Sequence, residues 1–132
     1  MFQSDPLPWQ CMSRYPAASQ GVKFIDIDYK DLMIKKQTVV QNAPELNSML
    51  TNLNVIQNGD ILLSSDQYLQ LGCDLRDLKR LEETISKVVD IEKCSFLFTA
   101  EVSITYMPTE AADALIQWAN KLPEGKIIFP LL

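Results

Sequence analysis

Asp28, Asp74 and Glu101 are the residues of this chain whose type and position could do chemistry. Each closes an apolar run of strand character: Val22 to Ile27 before Asp28, Gln67 to Cys73 before Asp74, and Ser95 to Ala100 before Glu101. An ionised carboxylate only accepts hydrogen bonds, so an acid that closes a strand suits a ligand rich in donors. A ribose offers two hydroxyls, adenine an amine, and a cationic cofactor or substrate a positive charge. In open sheets of parallel strands, ligands sit outside the carboxyl ends of the strands, where these acids would lie. The structural alternative is that Asp28 and Asp74 are helix N-caps, since helix-like sequence follows both. Three acids in one relation to three strands favour a site.

Asp26 and Asp28 stand two apart in an extended segment, so both side chains leave the same face, and two neighbouring like charges require a cation or a ligand with several donors. Asp-x-Asp after an apolar strand also resembles the motif of metal-dependent phosphotransfer in haloacid-dehalogenase-like enzymes. Tyr29 stands where that pattern has Thr or Val, and no later pair of acids follows to hold a metal ion. The chain contains no histidine. That excludes Ser-His and Cys-His nucleophiles and removes the commonest zinc ligand. Cys11, Cys73 and Cys94 are odd in number, far apart and in no Cys-x-x-Cys pair, which opposes a disulfide framework and a structural zinc site. With the methionines they read as core filling. No metal is expected. Trp9 and Trp118 could stack on a ligand but fit core positions.

These side chains need a scaffold. A hydrophobic content of 47% with 22% charged residues over 132 residues suits one soluble domain with a real core. No apolar run approaches the ~20 residues of a membrane span, and the start, Met1 to Pro8, lacks a secretion-signal pattern, so cytoplasmic residence is expected. A net charge of −5 opposes a nucleic-acid-binding surface on this chain alone. The periodicities predict a helix over Leu7–Arg14, a first strand over Val22–Ile27, and a helix from Tyr29 to Gln41 with Tyr29, Leu32, Met33 and Val40 on one face, interrupted by Lys36. A second helix follows from Pro44, with Leu46, Met49, Leu50 and Leu53 in register. Asp60 to Ser64 is ambiguous, Gln67 to Cys73 a strand, and Leu75 to Val89 a helix. Ser95 to Ala100 reads as a strand, and Thr109 as the N-cap of a helix bearing Ala112, Leu115, Ile116, Ala119 and Leu122, stopped by Gly125. Lys126 to Phe129 begins one more strand. Strands alternating with helices predict an α/β fold with a mostly parallel sheet.

Four motifs in this order, Asp5-Pro6-Leu7-Pro8-Trp9, Phe24-Ile25-Asp26-Ile27-Asp28-Tyr29, Cys73-Asp74-Leu75-Arg76-Asp77-Leu78 and Ala100-Glu101-Val102-Ser103-Ile104-Thr105-Tyr106-Met107, resemble the leucine carboxyl methyltransferase family. Their form is similar to its tRNA wybutosine-synthesising branch. The resemblance implies a Rossmann-like, S-adenosylmethionine-dependent methyltransferase. It implies that Asp28 holds the cofactor ribose, that Asp74 and Leu75 border the adenine, and that Glu101 lies near the methionine end. It implies no catalytic side chain: a carboxylate acceptor is already an anion and a sulfonium already a good leaving group, so placement and exclusion of water do the work. The implied substrate is the side-chain carboxyl of a hypermodified guanosine in phenylalanine tRNA, methylated and then methoxycarbonylated at its amino group. The alternatives are a methyltransferase acting on a protein C-terminal leucine carboxylate, or a non-catalytic α/β interaction domain that has lost cofactor binding.

Family members carry a strand and a Gly-x-Gly turn before the Asp-Pro-Leu-Pro-Trp motif, where Met1-Phe2-Gln3-Ser4 stands here. The expectation is therefore one partial domain over residues 1–132, a truncated sheet missing its first, central strand and its C-terminal part. In the family's strand order, the strands near Ile25 and Leu97 then lose their shared neighbour and expose ladder groups.

Overall fold

A computed structural model describes residues 7–56, 59–99, 107–122 and 126–128 of the chain. It is an α/β structure whose described residues divide into two units, Met1–Gly72 and Cys73–Leu132.

In the first unit, α1 (Leu7–Arg14) ends where Pro16 forces the break, and Pro16 opens a one-turn helix, α2 (Pro16–Ser19). Strand β1 spans Phe24–Asp28 and leads through Tyr29 into α3 (Lys30–Asn42). A short α4 (Pro44–Asn47) follows, then β2 (Asn54–Val55), β3 (Ile61–Ser64) and β4 (Tyr68–Gly72). The sheet order is β1-β4-β3-β2. β1 runs parallel to β4 in the register Phe24↔Tyr68 through Asp28↔Gly72, so the crossover through α3 is the expected βαβ step. β3 and β2 are antiparallel additions, which makes the sheet mixed rather than mostly parallel.

The helix expected to continue through Leu53 stops at Asn47. Asn52 adopts a left-handed φ of 55°, and Asp66 accepts hydrogen bonds from Thr51 Oγ1 and Asn52 Nδ2, both at 2.8 Å. This turn hands the chain to β2, and Leu53 is left exposed. The periodicity of Leu46, Met49 and Leu50 belongs to the rim of the core instead: Leu46 and Leu50 pack with Trp9, Val40, Leu63 and Tyr68.

α3 lies across β1, β3 and β4. Its buried face is Met33, Gln37 and Val40, whereas Tyr29 and Leu32, expected to be inward, are exposed. Gln37 is inside because its amide is bonded there: Nε2 donates to Leu62 O at 2.6 Å and to Ile56 O at 3.1 Å, which settles two carbonyls beside the sheet. The first turn of α3 comes so close to β4 that a Cβ at Gly72 would lie 3.1 Å from Lys30 Cα.

The second unit carries α5 (Leu78–Ser86), a single 3₁₀ turn (Ile91–Lys93), β5 (Leu97–Thr99), α6 (Thr109–Lys121) and β6 (Lys126–Ile128). β5 and β6 form a parallel pair, and α6 lies against β6. The α6 face is as read from the sequence, with Ala112, Ala119 and Leu122 buried, but the N-cap is Pro108 and no side chain caps the helix. Among the described residues, the β5 and β6 pair is the sheet of the second unit. With Phe24 N–H donating to Gln67 O, the alternation of a parallel ladder turns the N–H and C=O of Ile25 and Ile27 to the other edge of β1. No described strand pairs with that edge. No described helix is long and apolar enough to cross a membrane.

Candidate functional site

Asp28 is the last residue of β1. Its Oδ1 accepts the backbone N–H of Tyr29 at 2.8 Å, and its Oδ2 lies 3.5 Å from Lys36 Nζ. The side chain keeps 29% of its surface open. Two residues back on the same face of the strand, Asp26 meets the same ammonium, with both oxygens at 3.4 Å. The positive charge that two adjacent carboxylates require is therefore the protein's own Lys36, reaching back from the second turn of α3. At these distances and with Lys36 40% exposed, each ion pair is a weak attraction, of order 1 kcal/mol or less.

Behind Asp26 the polar chain runs inward. Tyr68, opposite Phe24 in β4, donates its phenolic O–H to Asp26 Oδ2 at 3.0 Å, and Gln70, opposite Asp26, donates its amide N–H to the Tyr68 oxygen at 3.0 Å. The single phenolic proton goes to the carboxylate, so the direction of the chain is fixed: Gln70 to Tyr68 to Asp26. Burial, and then the charge of Asp26, push the Tyr68 phenol well above its ordinary value of 10.0, against a smaller opposite pull from the Gln70 donor. The tyrosine keeps its proton. Gln70 is fully buried, and its Oε1 accepts no hydrogen bond. Trp9 holds the other side of the tyrosine: its ring meets Tyr68 edge-on at 4.6 Å, and its Nε1 donates to Leu46 O at 2.8 Å. The tryptophan of the first sequence motif is thus a packing residue one step behind Asp26.

Asp74 lies in the second unit, two residues after the end of β4. Its Oδ1 accepts the backbone N–H of Arg76 at 2.9 Å, and the Arg76 guanidinium grips both oxygens, Nε at 3.0 and 3.2 Å and Nη2 at 2.7 Å. The side-chain bonds from Arg76, followed by its backbone N–H, hold the Asp74 carboxyl below its ordinary range. Leu75 is half-buried inside the turn closed by Asp77 N–H on Asp74 O at 3.0 Å. Asp77, not Asp74, is the N-cap of α5, accepting from Arg80 N–H. Because this turn absorbs Leu75 to Asp77, the helix starts three residues later than the apolar period suggested.

Both aspartates thus escape the simple capping role. Asp28 bonds a free N–H ahead of α3, yet the N-cap position is Tyr29, and Asp74 serves its own turn. Each presents a carboxylate oriented by a neighbouring N–H and a cation. Glu101 lies outside the described residues. Lys36, Tyr68 and Gln70 were not among the residues singled out from the sequence. Lys36 was visible as the one charge interrupting an apolar helical face, and Tyr68 and Gln70 as polar residues two apart inside a strand of Leu69 and Leu71. Among the described residues, no group of three Cys, Asp or Glu side chains could hold a metal ion.

Comparison with known proteins gives this arrangement relatives. The chain is 44% identical over 126 residues to the tRNA wybutosine-synthesizing protein 4 of Gibberella zeae, an alignment covering 93% of this chain and 12% of that protein. Proteins of the same name from Neurospora crassa and Aspergillus fumigatus are 33% and 39% identical, over 95% and 89% of this chain and 16% and 11% of their own lengths. The chain thus spans between 11% and 16% of these curated relatives. The family model described as leucine carboxyl methyltransferase matches residues 10–120, which contain β1, the Asp26–Lys36–Asp28 group and the Asp74 turn. The chain belongs to the leucine carboxyl methyltransferase family.

Proposed function

We infer that this chain is the cofactor-side part of an S-adenosylmethionine-dependent carboxyl methyltransferase of tRNA wybutosine synthesis, with a Rossmann-like fold and a cytoplasmic place of work. The observation that carries the reading is Asp28. It is a carboxylate at the C-terminal end of a parallel strand, one oxygen fixed by the next backbone N–H and the other beside Lys36, with a part of its surface open. Such an acceptor matches the two hydroxyl donors of a ribose diol and so fits an adenosyl cofactor. Family membership supports the activity, and the names of the relatives support the pathway.

When bound, S-adenosylmethionine supplies a methyl group on a sulfonium. The chain's own residues bind and orient: Asp28 accepts from the ribose hydroxyls, Asp74 and Leu75 border the adenine, and Glu101 serves the methionine end. No side chain is assigned as a base, because a carboxylate acceptor arrives deprotonated. The implied acceptor is the side-chain carboxyl of the modified guanosine in phenylalanine tRNA. With a net charge of −5 this chain offers little attraction for tRNA phosphates, which suits a part that handles the cofactor.

Isothermal titration of the chain with S-adenosylhomocysteine tests the reading. Saturable binding that Asp28→Ala abolishes is the expected result. A wild-type chain without saturable binding, or an Asp28→Ala variant of unchanged affinity, removes it.

A further inference from the structure

The geometry points to Lys36 as a positioning residue that holds Asp28 ready for a ribose diol, an inference that rests on the reading of Asp28 just given. Asp26 and Asp28 leave the same face of β1, two residues and so roughly 7 Å apart along the strand. Left alone, each carboxylate would turn away from the other into solvent. Lys36 Nζ stands between them, 3.4 Å from both oxygens of Asp26 and 3.5 Å from Oδ2 of Asp28.

The two ends of this bridge are not equivalent. Asp26 is anchored from behind by the Tyr68 hydroxyl at 3.0 Å, and Tyr68 in turn by Gln70 and by the edge of Trp9. Among the described residues, Asp28 meets the N–H of Tyr29 and the ammonium alone. The fixed carboxylate therefore places the lysine, and the lysine places the movable one. With Oδ1 on Tyr29 N–H and Oδ2 drawn toward Lys36, the torsion of the Asp28 carboxylate is set, while the lone pairs that point away from these donors stay free for two hydroxyls. Lys36 does not itself need to touch the ligand.

The test reads coupling between Lys36 and one hydroxyl of the ligand. S-adenosylhomocysteine and its 2′-deoxyribose form are titrated into the wild-type chain and into Lys36→Met, Lys36→Arg and Asp28→Ala. A hydrogen bond from a hydroxyl to a well-placed carboxylate corresponds to roughly ten- to hundredfold in affinity, so the wild type prefers the ribose form by about that factor. Lys36→Met is expected to bring the preference under about threefold, and Lys36→Arg, which keeps the charge and the reach, to restore most of it. A Lys36→Met chain that weakens both ligands equally and keeps the full preference overturns the positioning role, while Asp28→Ala losing the preference leaves the reading of Asp28 standing. If the wild type itself shows no preference, the diol reading of Asp28 fails and the inference falls with it. The Lys36 side chain is 40% exposed, so the Met variant is expected to keep the fold, which its far-ultraviolet circular dichroism checks.

Discussion

Tyr68 shows how a buried polar residue can serve a site that it does not touch. Its ring is 2% exposed and lies among Trp9, Val40 and Leu63, while its hydroxyl reaches the partly open Asp26. A neutral donor bonded to a carboxylate is stronger than an ordinary hydrogen bond, and its loss would also leave the Gln70 amide N–H, buried and directed at the phenol, without an acceptor. Tyr68→Phe, which keeps the ring, is expected to lower stability at pH 7 by about 1.5–3 kcal/mol in urea unfolding. A change under about 0.5 kcal/mol would mean that water replaces the hydroxyl without penalty and that Asp26 is not anchored from behind. Asp74 is the contrasting case. Its partner Arg76 is close and bidentate, but both groups face solvent, so the pair shapes a turn and adds little to stability.

At the scale of elements, the position of Asp28 depends on how closely α3 can follow β1 and lie over β4. Gly72 makes that approach possible. A methyl group there would meet Lys30 Cα at 3.1 Å and Leu62 Cδ1 at 3.3 Å, and the first of these contacts is backbone that only a shift of the helix can relieve. Gly72→Ala is expected to cost about 1–3 kcal/mol in thermal or urea unfolding. It should also weaken cofactor-analogue binding, since α3 carries Lys36. An alanine variant as stable as the wild type would show that α3 moves freely on the sheet. The sequence made much of this level legible. β1, β4, α3 and α6 follow from period and punctuation, and Asp28 at the end of β1 was visible because charge that interrupts an apolar run is conspicuous. The antiparallel β2 and β3 were not legible, because Asn54-Val55 is too short to show an alternation and because the left-handed Asn52, not a proline or glycine, breaks the preceding helical period. The inward turn of Gln37 was hidden for a related reason. Its burial is decided by the carbonyls of Ile56 and Leu62, which are distant in sequence. Lys36 was legible only as the charge that interrupts an apolar helical face, since only the fold shows that its side chain ends between two carboxylates.

For the whole molecule, the titratable groups define a stability profile with two limbs and a plateau. The chain has no histidine, so no side chain with an ordinary transition near neutrality is present to bend the curve between about pH 6 and 8. On the acid side, Asp74 is held below the ordinary aspartate value of 3.8, mainly by Arg76. The unfolded chain takes up that proton first, so its contribution is present above 3.8 and is lost as the pH falls through the lowered folded value. On the alkaline side the sign is reversed. Tyr68 stays protonated in the folded chain because burial and Asp26 oppose its ionisation, whereas in the unfolded chain it ionises near 10.0. Stability is therefore complete below 10.0 and declines above it, by about 1.4 kcal/mol for each further pH unit from this one group. The decisive quantity is the difference between wild type and Tyr68→Phe. The gap between their unfolding free energies, constant from pH 7 to about 9, is expected to close as the pH rises from 10 toward 11, because only the wild type still has the buried phenol to lose. Unfolding curves in urea at half-unit pH steps give that difference directly. Two curves that remain parallel through pH 11 would mean that Tyr68 ionises in the folded chain as readily as in the unfolded one, and the chain of donors from Gln70 through Tyr68 to Asp26 would then not hold.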